Sequence, residues 1–93
     1  MFFIREIVTS PRAEEHIWTK HHVTPEEAED VCLSDNPWVI RGRDGSVAVY
    51  GQTEAGRYLV VFLYPRSEGV FSLATARGMT RTERRRFQSH RRR

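Results

Sequence analysis

The residues best suited to do chemistry lie close together near the C-terminus. The stretch ATARGMTRTERRRF, residues 74–87, places five arginines around a single acid, Glu83. Each guanidinium is a planar fork that can donate two hydrogen bonds at once to the oxygens of a phosphate or a carboxylate. Like charges on neighbouring helical positions repel one another, so helix stability does not explain the cluster. The pattern predicts a surface for an anionic partner, built from Arg77, Arg81, Arg84, Arg85 and Arg86.

A second group of reactive residues closes the first predicted helix, where Lys20, His21 and His22 follow one another. An unperturbed histidine has a pKa of about 6.5, so His21 is the candidate for proton transfer near neutrality. Cations at a helix C-terminus are also favoured by the helix dipole, and a purely structural role stays open. The spacing of His16, His21 and His22 lacks the i, i+4 geometry that would place two zinc ligands on one helix face. We therefore expect no metal and no other cofactor.

Charge is distributed unevenly along the chain of 93 residues. Residues 1–44 carry five basic and nine acidic side chains, a net of −4, whereas residues 45–93 carry ten and three, a net of +7. These two values sum to the overall charge of +3. Fourteen of the fifteen cations are arginine, and Lys20 is the exception. This asymmetry indicates that the C-terminal half faces an anionic partner.

Length and composition predict one small globular domain over residues 1–93. No apolar run approaches the ~20 residues of a membrane span. The opening MFFIREIV is interrupted by two charges and resembles no signal peptide. A single cysteine cannot form an internal disulfide, so we expect a cytoplasmic protein with Cys32 as a core residue.

The elements that must position these residues are indicated by caps, turns and hydrophobic periodicity. Ser10-Pro11 is typical of a helix start, and both Thr24 and Thr80 are followed three residues later by glutamate, as in a capping box. Short apolar runs joined by glycine-containing turns predict an antiparallel meander. The expected fold class is α+β, with two N-terminal helices packed on the sheet and a basic helix after it. The predicted strands are 2–8, 38–41, 46–52, 57–65 and 70–76. The predicted helices are 11–21, a second that begins at 24–25, and 81–90. Residues 89–93 are expected to be a disordered basic tail.

Two segments resemble the BrnT-type toxins. KHHVTPEEAEDV, residues 20–31, resembles the KHGV-S-x-EEA signature of that family. YGQTEAGRYLVVFLY and the later SLATARGMTRTERRRF resemble its central sheet and its closing S/T-A-R-x-x-T-x-x-E-R-x-x-Y/F motif. The resemblance covers roughly residues 16–87. It implies a RelE-like fold, the toxin half of a type II toxin–antitoxin module, inhibition of translation by RNA cleavage, and a BrnA-like, DNA-binding antitoxin as partner. Direct DNA binding without that antitoxin is not expected.

Metal-free RNA cleavage by the neighbouring 2′-hydroxyl needs a base, an acid and cations around the phosphorus. By resemblance, Lys20 and His21 match the KH pair of the family, Arg77 matches the A-R, and Glu83 with Arg84 match the E-R. The expected catalytic residues are His21, Arg77, Arg84 and Glu83, and the expected RNA-binding residues are Lys20, Arg57, Arg81 and Arg85.

Several alternatives stay open. Glu83 is also the expected capping residue of the last helix, and Arg84 can instead pair with an acid of the second helix. The sequence departs from the family in SVAVYG, which lacks a common arginine, at Gly78, where an acid or lysine is common, and at Phe87, which has no hydroxyl. A catalytically silent module that binds RNA or antitoxin, and an adaptor without any RNA role, are therefore the rival interpretations.

Overall fold

The computed structural model describes residues 3–92, which form three helices and a five-stranded sheet. Most predicted boundaries are confirmed within two residues, and the first strand is shorter than expected. Phe2 of that predicted strand and Arg93 of the predicted tail lie outside the described residues. In chain order the elements are β1 (Glu6–Val8), α1 (Pro11–His21), α2 (Pro25–Cys32), β2 (Trp38–Arg41), β3 (Val47–Gln52), β4 (Tyr58–Ser67), β5 (Val70–Gly78) and α3 (Arg81–Arg91).

The strands lie in the order β1-β5-β4-β3-β2. Strands β2 to β5 pair antiparallel, as the predicted meander requires. Strand β1 instead pairs parallel with β5, through the register of Ile7 with Phe71. Parallel neighbours need a long crossover connection, and here the whole segment from α1 to β4 supplies it. The sheet is therefore mixed, with β1 added at one edge.

Helices α2 and α3 both begin with a capping box. In α2, the side chain of Thr24 accepts a hydrogen bond from the Glu27 amide, and Glu27 accepts one from the Thr24 amide. In α3, Thr80 and Glu83 form the same reciprocal pair. Each capping box satisfies donors that would otherwise lack an intrahelical partner. The expectation drawn from Thr24 and Thr80 is confirmed.

Each capping glutamate also joins its helix to the sheet. Arg57, which precedes β4, donates to both carboxylate oxygens of Glu27 at 3.0 Å. Arg77, in β5, donates to the two oxygens of Glu83 at 2.8 and 3.0 Å. The starts of α2 and α3 are thus each held by an arginine, Arg57 through Nη1 alone and Arg77 through both Nη atoms.

The core lies between one face of the sheet and the helices α1 and α2. Ile17 of α1 and Val31 of α2 are fully buried there. Alternate residues of β4 face them, because successive strand residues point to opposite sides. Cys32 is also buried, which confirms its assignment to the core. The strand side chains of this core are Val47, Val49, Leu59, Val61, Leu63, Phe71, Leu73 and Ala76.

Helix α3 packs against the opposite face of the sheet. Phe87 is only 2% exposed, and its ring makes an edge-to-face contact with Tyr58 at 6.1 Å between centroids. Ser89, His90 and Arg91 are helical, so the disordered tail expected over residues 89–93 is corrected for residues 89–91. A buried anchor at Phe87 and aromatic contacts further along explain why the helix continues. Within residues 3–92, no helix is long and apolar enough to cross a membrane.

Candidate functional site

The sheet face under α3 carries one row of side chains across four strands. Trp38 pairs with Tyr50, Tyr50 with Val60, and Val60 with Arg77. Directly paired residues project from the same side of a sheet, so these four side chains share a face. The neighbouring row on that face, Ile40, Ala48, Phe62 and Thr75, is paired in the same way. These two rows of the face opposite the main core therefore consist mostly of aromatic and aliphatic side chains, and Arg77 is the one cation among the eight residues.

Arg77 supplies that cation, and three contacts hold it. Its Nη1 and Nη2 atoms form the bidentate pair with Glu83, and Nη1 also donates to the Gly78 carbonyl at 3.1 Å. The guanidinium carbon lies 5.4 Å from the centroid of the Phe62 ring. The hydrogen bonds to Glu83 raise the pKa of Arg77. The side chain is 32% exposed and its orientation is set before any ligand arrives.

Glu83 is poorly suited to accept a proton. Hydrogen bonding by Arg77, with smaller contributions from the Thr80 amide, lowers its pKa to about 2. A carboxylate held this strongly ionised is a weak base near neutral pH. The geometry favours the alternative role of Glu83, in which it caps α3 and positions Arg77.

The arginines of α3 point in different directions. Arg86 lies three residues after Glu83 and four before His90, so it shares their side of the helix. Arg81 and Arg85 are one turn apart and exposed, on the side away from Phe87. The guanidinium carbon of Arg84 lies 4.1 Å above the ring of Tyr58. Arg84 therefore makes a cation–π contact, and no ion pair with α2 is present among the described residues.

Lys20, His21 and Arg57 lie on the other side of the sheet from Arg77. Arg57 donates to the His22 carbonyl at 2.8 Å and to Glu27, which places it against the ends of α1 and α2. The residue after Arg57 is Tyr58, whose side chain faces α3, and consecutive strand residues point to opposite faces. The structure thus separates the expected site residues into two groups on opposite sides of the sheet. Lys20, His21 and Arg57 form an α1–α2 cluster, and Arg77, Arg81, Glu83, Arg84 and Arg85 form an α3 cluster.

Proton transfer at Arg77 by His21 is not supported by this arrangement. His21 is at the end of α1, and its ring contacts that of His16 at 5.8 Å between centroids. Lys20 is exposed on the same helix end. Within the described chain, no group of three or more His, Cys, Asp or Glu side chains is placed to hold a metal ion.

Tyr50 is a member of this face that the sequence did not predict, whereas Arg86 belongs to the arginine cluster that the sequence predicted as a surface for an anionic partner. Burial raises the pKa of the Tyr50 phenol, the charge of Glu83 raises it further, and Arg77 and Arg86 oppose that rise. These couplings place the phenol among the charges around Arg77. The alternation in SVAVYGQ was the available signal, because it puts Tyr50 on the side opposite Val47 and Val49.

Aromatic rings extend the same face beyond Tyr50. The Trp38 ring lies 5.1 Å from that of Tyr50 and is stacked on His90 of α3, at 5.0 Å and 18°. We define the α3-face site as Trp38, Tyr50, Arg77, Glu83, Arg86 and His90. Such a combination of cations and aromatic rings can bind a phosphate beside an unpaired base.

The backbone of this chain is similar to that of a protein of known structure. The structure is similar to the crystal structure of the Brucella abortus ribonuclease toxin BrnT, with a TM-score of 0.67 and 15% sequence identity. The match covers 82% of this chain and 97% of that chain. No protein-family model matches the sequence, and the search of curated proteins found no match. The chain is therefore an α+β protein with the same fold as that structure. Its particular fold is the BrnT-like toxin fold, as the two sequence segments indicated.

Proposed function

We propose that this protein is an endoribonuclease toxin that cleaves RNA without a metal ion. The observation that carries the proposal is the placement of a preoriented Arg77 on the sheet face that packs against an arginine-rich helix, in a fold shared with a ribonuclease toxin. An oriented guanidinium stabilises the negative charge that develops on a phosphate during transesterification.

The ion pair with Glu83 leaves Arg77 able to bind a ligand. A guanidinium has five N–H donors, of which Arg77 uses two on Nη1 and one on Nη2. The second Nη2 hydrogen and the Nε hydrogen have no partner among residues 3–92. These two donors, together with Arg86, suit the oxygens of the reacting phosphate. The outer cations Arg81 and Arg85 suit the phosphates on either side of it.

The proposal extends to the biological role that the sequence resemblance implies. The toxin would act in the cytoplasm, cleave RNA needed for translation, and be neutralised by a DNA-binding antitoxin encoded with it. The exposed side of α3 is strongly cationic, so an antitoxin with an acidic segment is complementary to it. Lys20 and Arg57 remain proposals for RNA binding on the α1–α2 cluster.

A cleavage assay with a labelled single-stranded RNA in excess EDTA tests the proposal. We expect cleavage with 2′,3′-cyclic phosphate ends, and a loss of about 10²–10³-fold in rate for Arg77→Ala, the effect typical of removing one charge-stabilising donor. Arg43→Ala is the matched control, because Arg43 is exposed in the β2–β3 turn away from this face. Circular dichroism of each variant checks that folding is retained. Absence of cleavage across RNAs of varied sequence, or full activity of Arg77→Ala, refutes the proposal.

The catalytically silent module is the second candidate, and two observations favour it. Arg57 and Arg77 are both already paired with carboxylates, and Glu83 is a poor base. This candidate predicts RNA binding without cleavage, with an affinity that falls steeply as salt rises. An adaptor without an RNA role predicts negligible RNA affinity at every salt concentration. Binding and cleavage measured on the same RNA therefore separate all three.

A further inference from the structure

We propose that Tyr50 is the proton donor to the leaving 5′-oxygen in the RNA cleavage proposed above, on which this inference rests. In this step the 2′-oxygen forms a bond to phosphorus and the bond from phosphorus to the 5′-oxygen breaks. The phenol proton passes to the 5′-oxygen. The proton of the 2′-hydroxyl leaves to water, and the phenolate regains a proton from solvent.

The position of Tyr50 supports this role. Tyr50 and Arg77 are in the same cross-strand row, separated only by Val60. Strands are about 4.8 Å apart, so the two Cα atoms are roughly 10 Å apart on one face. Val60 between them is fully buried, so a shared ligand would lie at the outer ends of the two side chains, where the Tyr50 phenol interacts electrostatically with the Arg77 guanidinium. A phosphate bound by Arg77 would then lie within reach of the phenol.

The chemistry of the phenol also suits a donor. Its pKa is raised, chiefly by burial, so the group carries its proton at neutral pH. Arg77 and Arg86 act in the opposite sense and stabilise the phenolate that remains after the proton has left. Within residues 3–92 the Tyr50 hydroxyl has no hydrogen-bond partner, so it is available to a ligand.

The other two tyrosines provide a contrast. The Tyr58 hydroxyl accepts a hydrogen bond from Gln88 at 3.2 Å, and its ring lies under Arg84. Tyr64 is on the same sheet face but is 49% exposed, beyond the β4–β5 bulge that follows Phe62. Tyr50 alone among the three combines a free hydroxyl with a place in the row of Arg77.

His90 is the strongest competing donor on this face. Its ring is stacked on Trp38, in β2, which is three strands away from Arg77, whereas Tyr50 is two strands away. Strands β2 and β5 are roughly 14 Å apart, so His90 is farther than Tyr50 from a phosphate bound at Arg77 and is the less suitable proton donor.

The test compares two substrates that differ at the leaving atom. We expect Tyr50→Phe to lower kcat on ordinary RNA by about 10²–10³-fold, the range for loss of a general acid, with RNA affinity unchanged. On RNA with sulfur in place of the scissile 5′-oxygen, a thiolate leaves without needing a proton, because a thiol has a pKa of only about 8.5. The variant should then match the wild type within a few-fold. Tyr64→Phe should match the wild type on both substrates.

Each remaining result decides against the inference. If the wild type cleaves RNA and Tyr50→Phe is equally active on the ordinary substrate, Tyr50 is not the donor. If the variant is slowed equally on both substrates, Tyr50 positions the RNA and does not donate a proton. If His90→Ala, and not Tyr50→Phe, is rescued by the sulfur substrate, His90 is the donor. A wild-type protein that cleaves neither substrate refutes the proposed ribonuclease function itself.

Discussion

Replacing Glu83 with glutamine isolates the ion pair that holds Arg77 in place. Glutamine retains an oxygen that can accept from the Thr80 amide, so the cap of α3 persists while the charge is removed. The pKa of Glu83 falls from its ordinary 4.5 to about 2. At about 1.36 kcal/mol per pKa unit this corresponds to roughly 3 kcal/mol before solvent screening. The side chains of Arg77 and Glu83 are 32% and 21% exposed, so we expect screening to reduce the cost of Glu83→Gln to about 1 kcal/mol.

The pH dependence of that cost follows from the direction of the pKa change. A carboxyl group whose pKa is lower in the folded state contributes its full stability above its unfolded value of 4.5. The contribution is lost as pH falls toward about 2, where the carboxylate is protonated in the folded protein. The stability difference between the wild type and Glu83→Gln should therefore be constant from pH 7 to about 5 and shrink below that.

Urea unfolding of both proteins at a series of pH values between 7 and 3 measures the difference. Glu68→Gln is the control, because Glu68 is exposed in the β4–β5 turn and a surface substitution there should change stability by less than about 0.5 kcal/mol. A double-mutant cycle with Arg77→Met assigns the loss to the pair itself. A cost that stays the same at pH 3, or no coupling between the two substitutions, would refute the reasoning.

Two further predictions concern the core. In Gly51→Ala the new Cβ would lie 2.9 Å from Cγ1 of Val31, which is fully buried, so we expect a loss of about 1–3 kcal/mol in urea unfolding; an unchanged midpoint would contradict the packing. The Cys32 thiol is buried and its pKa is raised by that burial to about 12. A thiol reagent at pH 8 should therefore label Cys32 only in unfolded molecules, so the extent of labelling should follow the unfolded fraction as urea is raised. Rapid labelling of the native protein would contradict this and would show that the core opens locally.

Much of the fold was predictable because its signals are local. A capping box needs only four consecutive residues, so Thr24 with Glu27 and Thr80 with Glu83 could be identified without any tertiary information. Alternation within β3 and the apolar run of β4 likewise predicted that these two segments are strands. The parallel pairing of β1 was not predicted, because it depends on a strand more than sixty residues further along the chain.

The candidate site was predicted less well than the fold. The arginines of residues 77–86 form one cluster in the sequence, yet their side chains diverge once the helix turns them by about 100° per residue. Arg81 and Arg85 face outward, and Arg86 is on the side of Glu83. His21 and Arg77 were both expected to be catalytic, and strand geometry separates them, because Arg57 and Tyr58 are adjacent residues that point to opposite faces.

The amino-acid sequence by itself determined the helix caps, the strand periods, the burial of Cys32 and the charge of the C-terminal half, since each depends on short-range pattern or composition. Only the tertiary structure decided which side chains meet at Arg77. Tyr50 is 27 positions away in the sequence and reaches the same row through two strand pairings, and a shift of one residue in either register would turn it to the other face. Strand register is fixed only when the sheet assembles, so the side chains that become neighbours through strand pairing could not be identified from the sequence alone.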